Sequence, residues 1–180
     1  MIYYHYFESP VGPMIGGATD NGLCFLEWHD RGGVPRIIER VTKRYKTELT
    51  ERGHPHLDSL EDELRRYFAG ELKQFQTPLD VTGTPFEMKV WSELLAIPYG
   101  VTRSYGEMAE RLDKKGAARA VGRANGANYL AIVIPCHRVI EATGKLRGYG
   151  GGLKRKQFLL DIEAGIKQPT LSLTQTSTFK

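Results

Sequence analysis

A cysteine and a histidine stand side by side at Cys136 and His137, after an apolar run that ends at Pro135. The run, residues 132–134, is β-branched and too short for a helix, so it predicts a buried strand of about three residues. A thiol attacks only as its thiolate, and a neighbouring imidazole is one of the few groups able to lower its pKa. The pair therefore indicates a nucleophile, although a buried structural cysteine beside a surface histidine is the commoner arrangement for such a pair alone.

The elements around this pair predict a mostly helical C-terminal half. Capping boxes that begin at Thr84 and Ser104 each predict the start of a helix, over residues 85–97 and 105–112. A glycine-containing turn leads to a third, alanine-rich helix at residues 117–124. Helix, turn and helix is the plan of a helix-turn-helix DNA-binding motif, and a plain helical hairpin fits the spacing equally well.

The N-terminal half predicts a separate module without a catalytic set of residues. Its expected elements are the three strands of an antiparallel meander and two helices, at residues 2–7, 13–19, 23–28, 34–48 and 58–68. We therefore predict an α+β supporting domain, residues 1–80, and a mostly α domain, residues 84–166, with a helix-turn-helix and a short active-site strand. Residues 167–180 are rich in Ser and Thr and predict a disordered tail.

Composition and charge narrow the class of protein. The 180 residues are 41% hydrophobic and 26% charged, without an apolar stretch of membrane-spanning length or a signal peptide, which predicts an intracellular, globular protein. We expect no membrane contact and a cytoplasmic location, or a nuclear one in a eukaryote. Residues 1–85 hold 10 basic and 13 acidic side chains, whereas residues 86–180 hold 15 and 8. The basic half suits a polyanion binder, although excess charge is more often a solvated face.

Cysteine and glycine usage argue against metal and nucleotide sites. Two cysteines are too few for a disulfide framework or most cysteine-based metal sites, and Cys24 is predicted to be a strand core residue. The glycine-rich loop at residues 148–152 precedes a last predicted helix, residues 153–164. Leu153 takes the place of the third glycine of a dinucleotide fingerprint, and Val139 that of the first glycine of a phosphate loop. We predict no cofactor and no metal.

The Pro-Cys-His-Arg-Val segment at residues 135–139 resembles the active-site signature of the O6-alkylguanine-DNA alkyltransferases, which reverse DNA alkylation directly. The resemblance is strong over residues 84–165 and weak in the N-terminal half. It implies that Cys136 accepts the alkyl group and that His137 acts as a base on the thiol through a water. It also implies that Glu163 orients the histidine, where a lone glutamate at a helix end would otherwise be a surface charge.

The same resemblance implies contacts to DNA and to the damaged base. Tyr105 would protonate the departing guanine, although a half-buried aromatic in a first helical turn fits this position equally well. Arg119 would enter the base stack in place of a flipped nucleotide, from a helix in the minor groove. Asn128 would hold the turn before the active site by bonds from its side chain to the backbone. The other predicted DNA or substrate contacts are Ala118, Arg123, Val139, Tyr149, Gly150 and Gly151.

Some positions depart from the pattern of certain family members. Ala131 stands in place of a proline, Gly150 in place of a serine and Arg147 in place of a glycine, which bears on the alkyl groups that fit. The zinc of some members is not expected, because Cys24 is the only cysteine of the N-terminal half. The expected partner is double-stranded DNA containing O6-alkylguanine, and the expected state is a monomer that reacts once.

Two other functions fit parts of the pattern. A damage sensor related to the alkyltransferases would bind lesions without transfer, but such sensors lack the acceptor cysteine, which is present here as Cys136. An unrelated Cys-His hydrolase would leave Arg119 and the helix-turn-helix unexplained.

Overall fold

The N-terminal domain is built on a four-stranded sheet. A computed structural model describes residues 1–167, in which β1 (Ile2–Phe7), β2 (Met14–Thr19) and β3 (Gly22–Trp28) form the predicted antiparallel meander. The fourth strand, β4 (Leu49–Glu51), runs parallel to β1, and the strand order is β3-β2-β1-β4. The sequence does not predict β4, because three mostly polar residues show no alternation. The predicted tail lies outside the described residues, apart from its first residue.

Two helices complete this domain, and both begin or end earlier than the sequence predicts. Helix α1 (Val34–Tyr45) ends where Lys46 turns left-handed, with φ of 53°. Helix α2 (Pro55–Phe68) begins at the proline, because the His54 imidazole accepts a hydrogen bond from the backbone of His56 at 3.2 Å. The apolar face of α2 packs against strands β1, β2 and β3, and its side chains on that face are buried.

The C-terminal domain contains the predicted helices. They are α3 (Pro85–Leu95), α4 (Tyr105–Arg111), α5 (Ala118–Gly126) and α6 (Leu153–Glu163). Both capping boxes are present, with reciprocal bonds between Thr84 and Glu87 and between Ser104 and Glu107. The helical period of the sequence places Leu95 on the apolar face of this first predicted helix, and that prediction is wrong, since Leu95 is 49% exposed at the last turn of α3. Within residues 1–167, every helix is too short or too polar to cross a lipid bilayer.

The edge of strand β3 connects the two halves. Leu26 donates to Tyr129 O and accepts from Ala131 N, both at 2.9 Å, while Leu23 donates to Pro78 O at 2.8 Å. These bonds tie both the linker and the segment before Cys136 to the sheet. A single core of buried apolar side chains then runs from the sheet to α3 and α6. The sheet of the N-terminal domain thus supports the segment before Cys136 through backbone hydrogen bonds.

The prediction of a short strand immediately before Cys136 is wrong. Residues 131–134 form a turn, in which Ile132 has φ of 69° and Ile134 N donates to Leu130 O at 3.0 Å. A left-handed β-branched residue is strained, and burial of this side chain in the shared core overrides its strand propensity. The short strand of this region comes after the cysteine instead, where β6 (Val139–Ile140) pairs parallel with β5 (Arg103–Ser104). The overall fold class is nevertheless confirmed.

Candidate active site

Cys136 opens a single 3-10 turn and is 7% exposed. Asn128 holds the preceding turn, because its Nδ2 donates to Ile134 O at 2.9 Å and its Oδ1 accepts from Leu130 N at 3.0 Å. These are bonds of the kind expected of Asn128 from the sequence. Asn125, at the end of α5, donates to Cys136 O at 3.3 Å. The cysteine backbone is therefore held directly by the second helix of the helix-turn-helix.

A buried ion-pair network lies behind the cysteine. His137 Nε2 is 2.7 Å from Glu163 Oε1, and both side chains are 1% exposed or less. Arg138 donates to both carboxylate oxygens, from Nε at 2.8 Å and from Nη2 at 3.0 Å. An ionised carboxylate only accepts, so Nε2 carries the imidazole proton and Nδ1 has a free lone pair. Among the described residues, the buried Nδ1 has no hydrogen-bond partner, so its lone pair is free to accept a proton.

The electrostatics assign a protonation state to each group. Burial lowers the pKa of His137 further than Glu163 raises it, so the imidazole is neutral. Burial opposes ionisation of Glu163, but His137 and Arg138 outweigh it and lower the pKa of the carboxyl to about 2. Burial raises the pKa of the Cys136 thiol, against a hydrogen bond from Asn128. The thiol is therefore protonated at rest and requires a base, which His137 can supply.

Lys156 is a second buried cation beside the site. Its ammonium donates to Val139 O at 2.6 Å and to Arg147 O at 3.1 Å, and the residue is fully buried. The sequence predicts only a basic start of the last helix, residues 154–156, and the structure shows that Lys156 is buried because it lies on the same helical face as buried Leu159 and Glu163. Burial lowers the pKa of Lys156, while the charge of its ammonium favours the Cys136 thiolate.

Comparison with known proteins decides the family. Two family models match, the 6-O-methylguanine DNA methyltransferase ribonuclease-like domain over residues 2–81 and its DNA binding domain over residues 85–165. The methylated-DNA–protein-cysteine methyltransferase of Mycobacterium bovis is 44% identical over 173 residues, 96% of this chain and 99% of its own length. The chain belongs to the methylated-DNA–protein-cysteine methyltransferase family. The relative from Methanosarcina acetivorans is 41% identical, over 90% of this chain and 98% of its own.

Solved structures of the family share the fold. The structure of Mycobacterium tuberculosis OGT in complex with DNA has a TM-score of 0.78 and 43% identity, over 91% of this chain and 94% of that one. The O6-methylguanine-DNA methyltransferase of Pyrococcus kodakaraensis KOD1 has a TM-score of 0.66 and 25% identity, over 91% and 99% of the two chains.

Two tyrosines border the thiol in this member of the family. The Tyr149 ring lies 6.5 Å from the His137 ring, edge to face, and its buried hydroxyl has no partner among the described residues. The Tyr105 hydroxyl donates to Arg147 O at 3.0 Å, so it shares this acceptor with Lys156. Burial raises the pKa of Tyr105, and the nearby thiol adds to the effect. Tyr105 is therefore a protonated phenol near the site, able to donate.

The glycine-rich loop rests on Trp28 from the end of β3. A Cβ on Gly151 would lie 2.7 Å from the Trp28 ring, which in turn packs edge to face on Tyr149 at 5.7 Å. A Cβ on Gly150 would meet nothing within 4 Å. The lack of a side chain at Gly151 therefore permits the close approach of the loop to Trp28. Gly150, which is also a predicted substrate contact, has open space in place of a side chain.

Gly151→Ala is expected to slow methyl transfer about tenfold, because its Cβ pushes the Tyr149 loop off Trp28. Gly150→Ala is the matched control and should react within about twofold of the parent. Rates are measured in a single turnover with methylated duplex. The double variant Gly151→Ala/Trp28→Leu should recover part of the loss, and equal rates for the two glycine variants would contradict this packing account.

The predicted DNA contacts lie on helix α5. Arg119 and Arg123 are exposed and one turn apart, and Ala118 is half-buried beside them. Asn125, which reaches the active-site backbone, is six residues after Arg119, or about 9 Å along the axis. One short helix thus presents two exposed cations, Arg119 in its first turn and Arg123 in its last, and holds the cysteine backbone through Asn125.

Several site residues are not assigned a role by the sequence. Arg138 is part of the signature, yet only the fold shows that it pairs with Glu163. The helical period of α6 could have found Lys156, whereas nothing local indicates Asn125, Trp28 or Tyr67. The hydroxyl of Tyr67 reaches the site from helix α2, across 96 positions of sequence.

Proposed function

We propose that this chain repairs DNA by moving a methyl group from O6 of guanine to Sγ of Cys136. The family and its relatives establish the class of activity, that of a methylated-DNA–protein-cysteine methyltransferase in DNA repair. The buried His137–Glu163 pair next to Cys136 is the observation that supports this cysteine as the acceptor. The other cysteine, Cys24, lies inside β3, where burial raises its pKa to about 12.

The reaction is a displacement at the methyl carbon. The Cys136 proton passes through a water to His137 Nδ1, the S–C bond forms, and the C–O6 bond breaks with its electron pair left on guanine. The Tyr105 hydroxyl exchanges Arg147 O for the departing base and donates a proton to it. The imidazolium proton then replaces the phenolic one through solvent. A thiol and methylguanine become a thioether and guanine, so no co-reactant is needed and each molecule acts once.

DNA is the partner of the domain that spans residues 85–165. We propose that the specific ligand is duplex DNA containing O6-alkylguanine, with α5 in the minor groove. O6 of guanine lies on the major-groove edge of its base pair, so a protein bound in the minor groove must flip the nucleotide out to bring the methyl group to a thiol that is 7% exposed. Arg119, exposed in the first turn of α5, is placed to fill the gap, and Arg123 to contact phosphate.

Arg119→Ala is expected to slow methyl transfer from duplex DNA about 10- to 100-fold, because no side chain then fills the space that the flipped nucleotide leaves in the base stack. Transfer from free O6-methylguanine, which needs no flipping, should stay within about twofold. Arg123→Ala is the matched control. It should weaken binding to any duplex and reduce the slope of log affinity against log salt by about one. Equal slowing of Arg119→Ala on both substrates would refute the flipping role.

Counting lesions separates this function from the two alternatives. The protein is mixed with an excess of duplex carrying O6-methylguanine, and the remaining lesions are counted at the endpoint. One lesion lost per protein molecule supports transfer to the protein. No loss would contradict transfer, and preferential binding of the methylated duplex would then distinguish a damage sensor from an unrelated hydrolase. Loss beyond one lesion per molecule would contradict an acceptor that is used once.

The monomeric state, the absence of membrane contact and the cytoplasmic location stay predictions from the sequence. Light scattering of the free protein tests the first, and a dimeric mass would contradict it.

A further inference from the structure

The N-terminal domain reaches the candidate active site through Tyr67, a residue of helix α2. The Tyr67 hydroxyl donates to Glu163 Oε1 at 2.7 Å, and the residue is 1% exposed. The same oxygen accepts the Nε2 proton of His137 at 2.7 Å. A hydroxyl from the supporting domain and the imidazole of the base therefore compete for the electron density of one carboxylate oxygen.

Tyr67 is the donor in this bond. Burial raises the pKa of Tyr67 well above its ordinary value, and the negative charge of Glu163 raises it further, so the phenol is neutral. Glu163 is ionised and can only accept. A bond to a charged acceptor in a buried site is stronger than a neutral one, and it draws charge away from the contact with His137.

We propose that Tyr67 is a positioning residue for the methyl transfer, which holds Glu163 and limits how strongly that carboxylate stabilises the protonated form of His137. The proposal rests on the proposed function, since it assigns a role to a residue that acts through the base. By weakening the pull of Oε1 on the imidazole proton, Tyr67 keeps His137 neutral, with Nδ1 free, at lower pH than the ion pair alone would allow.

Other ionisable groups also face this pair, and the test must leave them unchanged. Arg138 lies on the 3-10 turn, Lys156 on α6, and the rest on the adjoining loops and turn. The groups that interact with His137 or Glu163 are Arg138, Lys156, Tyr99 and Tyr149, and Cys136 adjoins His137 in the chain. Of the hydroxyls among these tyrosines and Tyr67, only that of Tyr67 hydrogen-bonds to Glu163 in the described structure. Removal of this single oxygen atom is therefore a specific perturbation.

Tyr67→Phe should shift the pH profile of transfer. The rate of the parent falls at low pH as His137 becomes protonated, and without the hydroxyl the imidazole binds its proton more tightly. The acid limb should therefore move to higher pH by about 0.5–1 unit, with the rate at high pH within about threefold of the parent. Single-turnover rates are measured on methylated duplex at each pH.

Tyr45→Phe is the matched control in the same domain. The Tyr45 hydroxyl donates to the backbone carbonyls of Cys24 at 3.2 Å and Asp80 at 2.7 Å, and its side-chain partner is Tyr129 rather than Glu163. Tyr45→Phe should lower the unfolding free energy about as much as Tyr67→Phe does, without shifting the acid limb of the pH–rate profile. If Tyr67→Phe lowers the rate by one factor at every pH, as a purely structural role requires, the proposal is overturned.

A second variant keeps the test valid even if Tyr67→Phe folds poorly. Replacing Tyr67 with 3-fluorotyrosine keeps the ring and hydroxyl but makes the phenol a stronger donor, so the acid limb should move the opposite way, to lower pH. An unmoved limb in this variant would also overturn the proposal. If the parent itself transfers no methyl group to Cys136, the proposed function fails first, and the two failures remain distinguishable.

Discussion

Replacing Cys136 with serine abolishes methyl transfer in this account, with a loss of at least about 10³-fold, while the variant still folds and binds duplex DNA. A serine hydroxyl holds its proton far more tightly than a thiol, and the burial that already raises the pKa of Cys136 would raise that of the hydroxyl further. Neutral His137, whose pKa is lowered by burial, would therefore produce far less alkoxide than thiolate, and a hydroxyl is a poorer nucleophile than a thiol toward a methyl carbon. The measurement is radiolabelled methyl transferred in a single turnover.

Cys24→Ala is the control for this experiment. Cys24 is fully buried in β3, so its loss should cost about 1 kcal/mol of unfolding free energy and leave transfer intact. Transfer that persists in Cys136→Ser and disappears in Cys24→Ala would reverse the assignment of the acceptor.

Glu163→Gln should damage both catalysis and stability. The variant removes the charge that pairs with Arg138 and orients the His137 proton, which leaves a buried guanidinium uncompensated. We expect a loss of about 3–5 kcal/mol in unfolding free energy at neutral pH and a rate lower by about 10²-fold or more. Urea unfolding and single-turnover transfer measure the two effects.

The stability loss in Glu163→Gln should depend on pH with a defined sign. The folded-state pKa of Glu163 is about 2, below its ordinary value of 4.5. The carboxylate therefore contributes stability that is fully present above pH 4.5, about 3 kcal/mol, and that is lost as the pH falls toward 2. The gap between the parent and Glu163→Gln should narrow over that range.

Glu93→Gln provides the comparison for a half-buried carboxylate near the surface. Glu93 pairs with Arg111 at 2.8 Å and with Arg103 at 3.9 Å, and because these pairs are partly solvated its loss should cost about 1 kcal/mol and leave the rate unchanged. If Glu163→Gln lowers the unfolding free energy no more than Glu93→Gln does, the buried network contributes little to the stability of the fold.

Local signals in the sequence predicted most helices because their causes lie within a few residues. The capping boxes at Thr84 and Ser104 join residues three apart, and both are confirmed. The meander follows from alternation around one tight turn and is also confirmed. The signature around Cys136 indicated the thiol and its base, and the fold places Glu163 against His137.

The errors arise where distant parts of the chain decide the local conformation. Residues 132–134 have the β-branched composition of a strand, yet bonds from Asn128 and burial against the sheet fold them into a turn. The basic run at the start of the last helix does not indicate that two backbone carbonyls bind Lys156. The helical period places Tyr67 on the inward face of its helix but does not indicate its partner, because Glu163 lies in another domain.

Cys136 is expected to take one methyl group and to keep it. Duplex DNA with a trideuterated methyl on O6 of guanine, supplied in excess and followed by peptide mass mapping of the protein, tests this expectation. We predict one label per molecule, on the peptide that contains Cys136, and no labelled methanol. Label on another residue, label released as methanol, or more than one label per molecule would show that Cys136 is not a single-use acceptor.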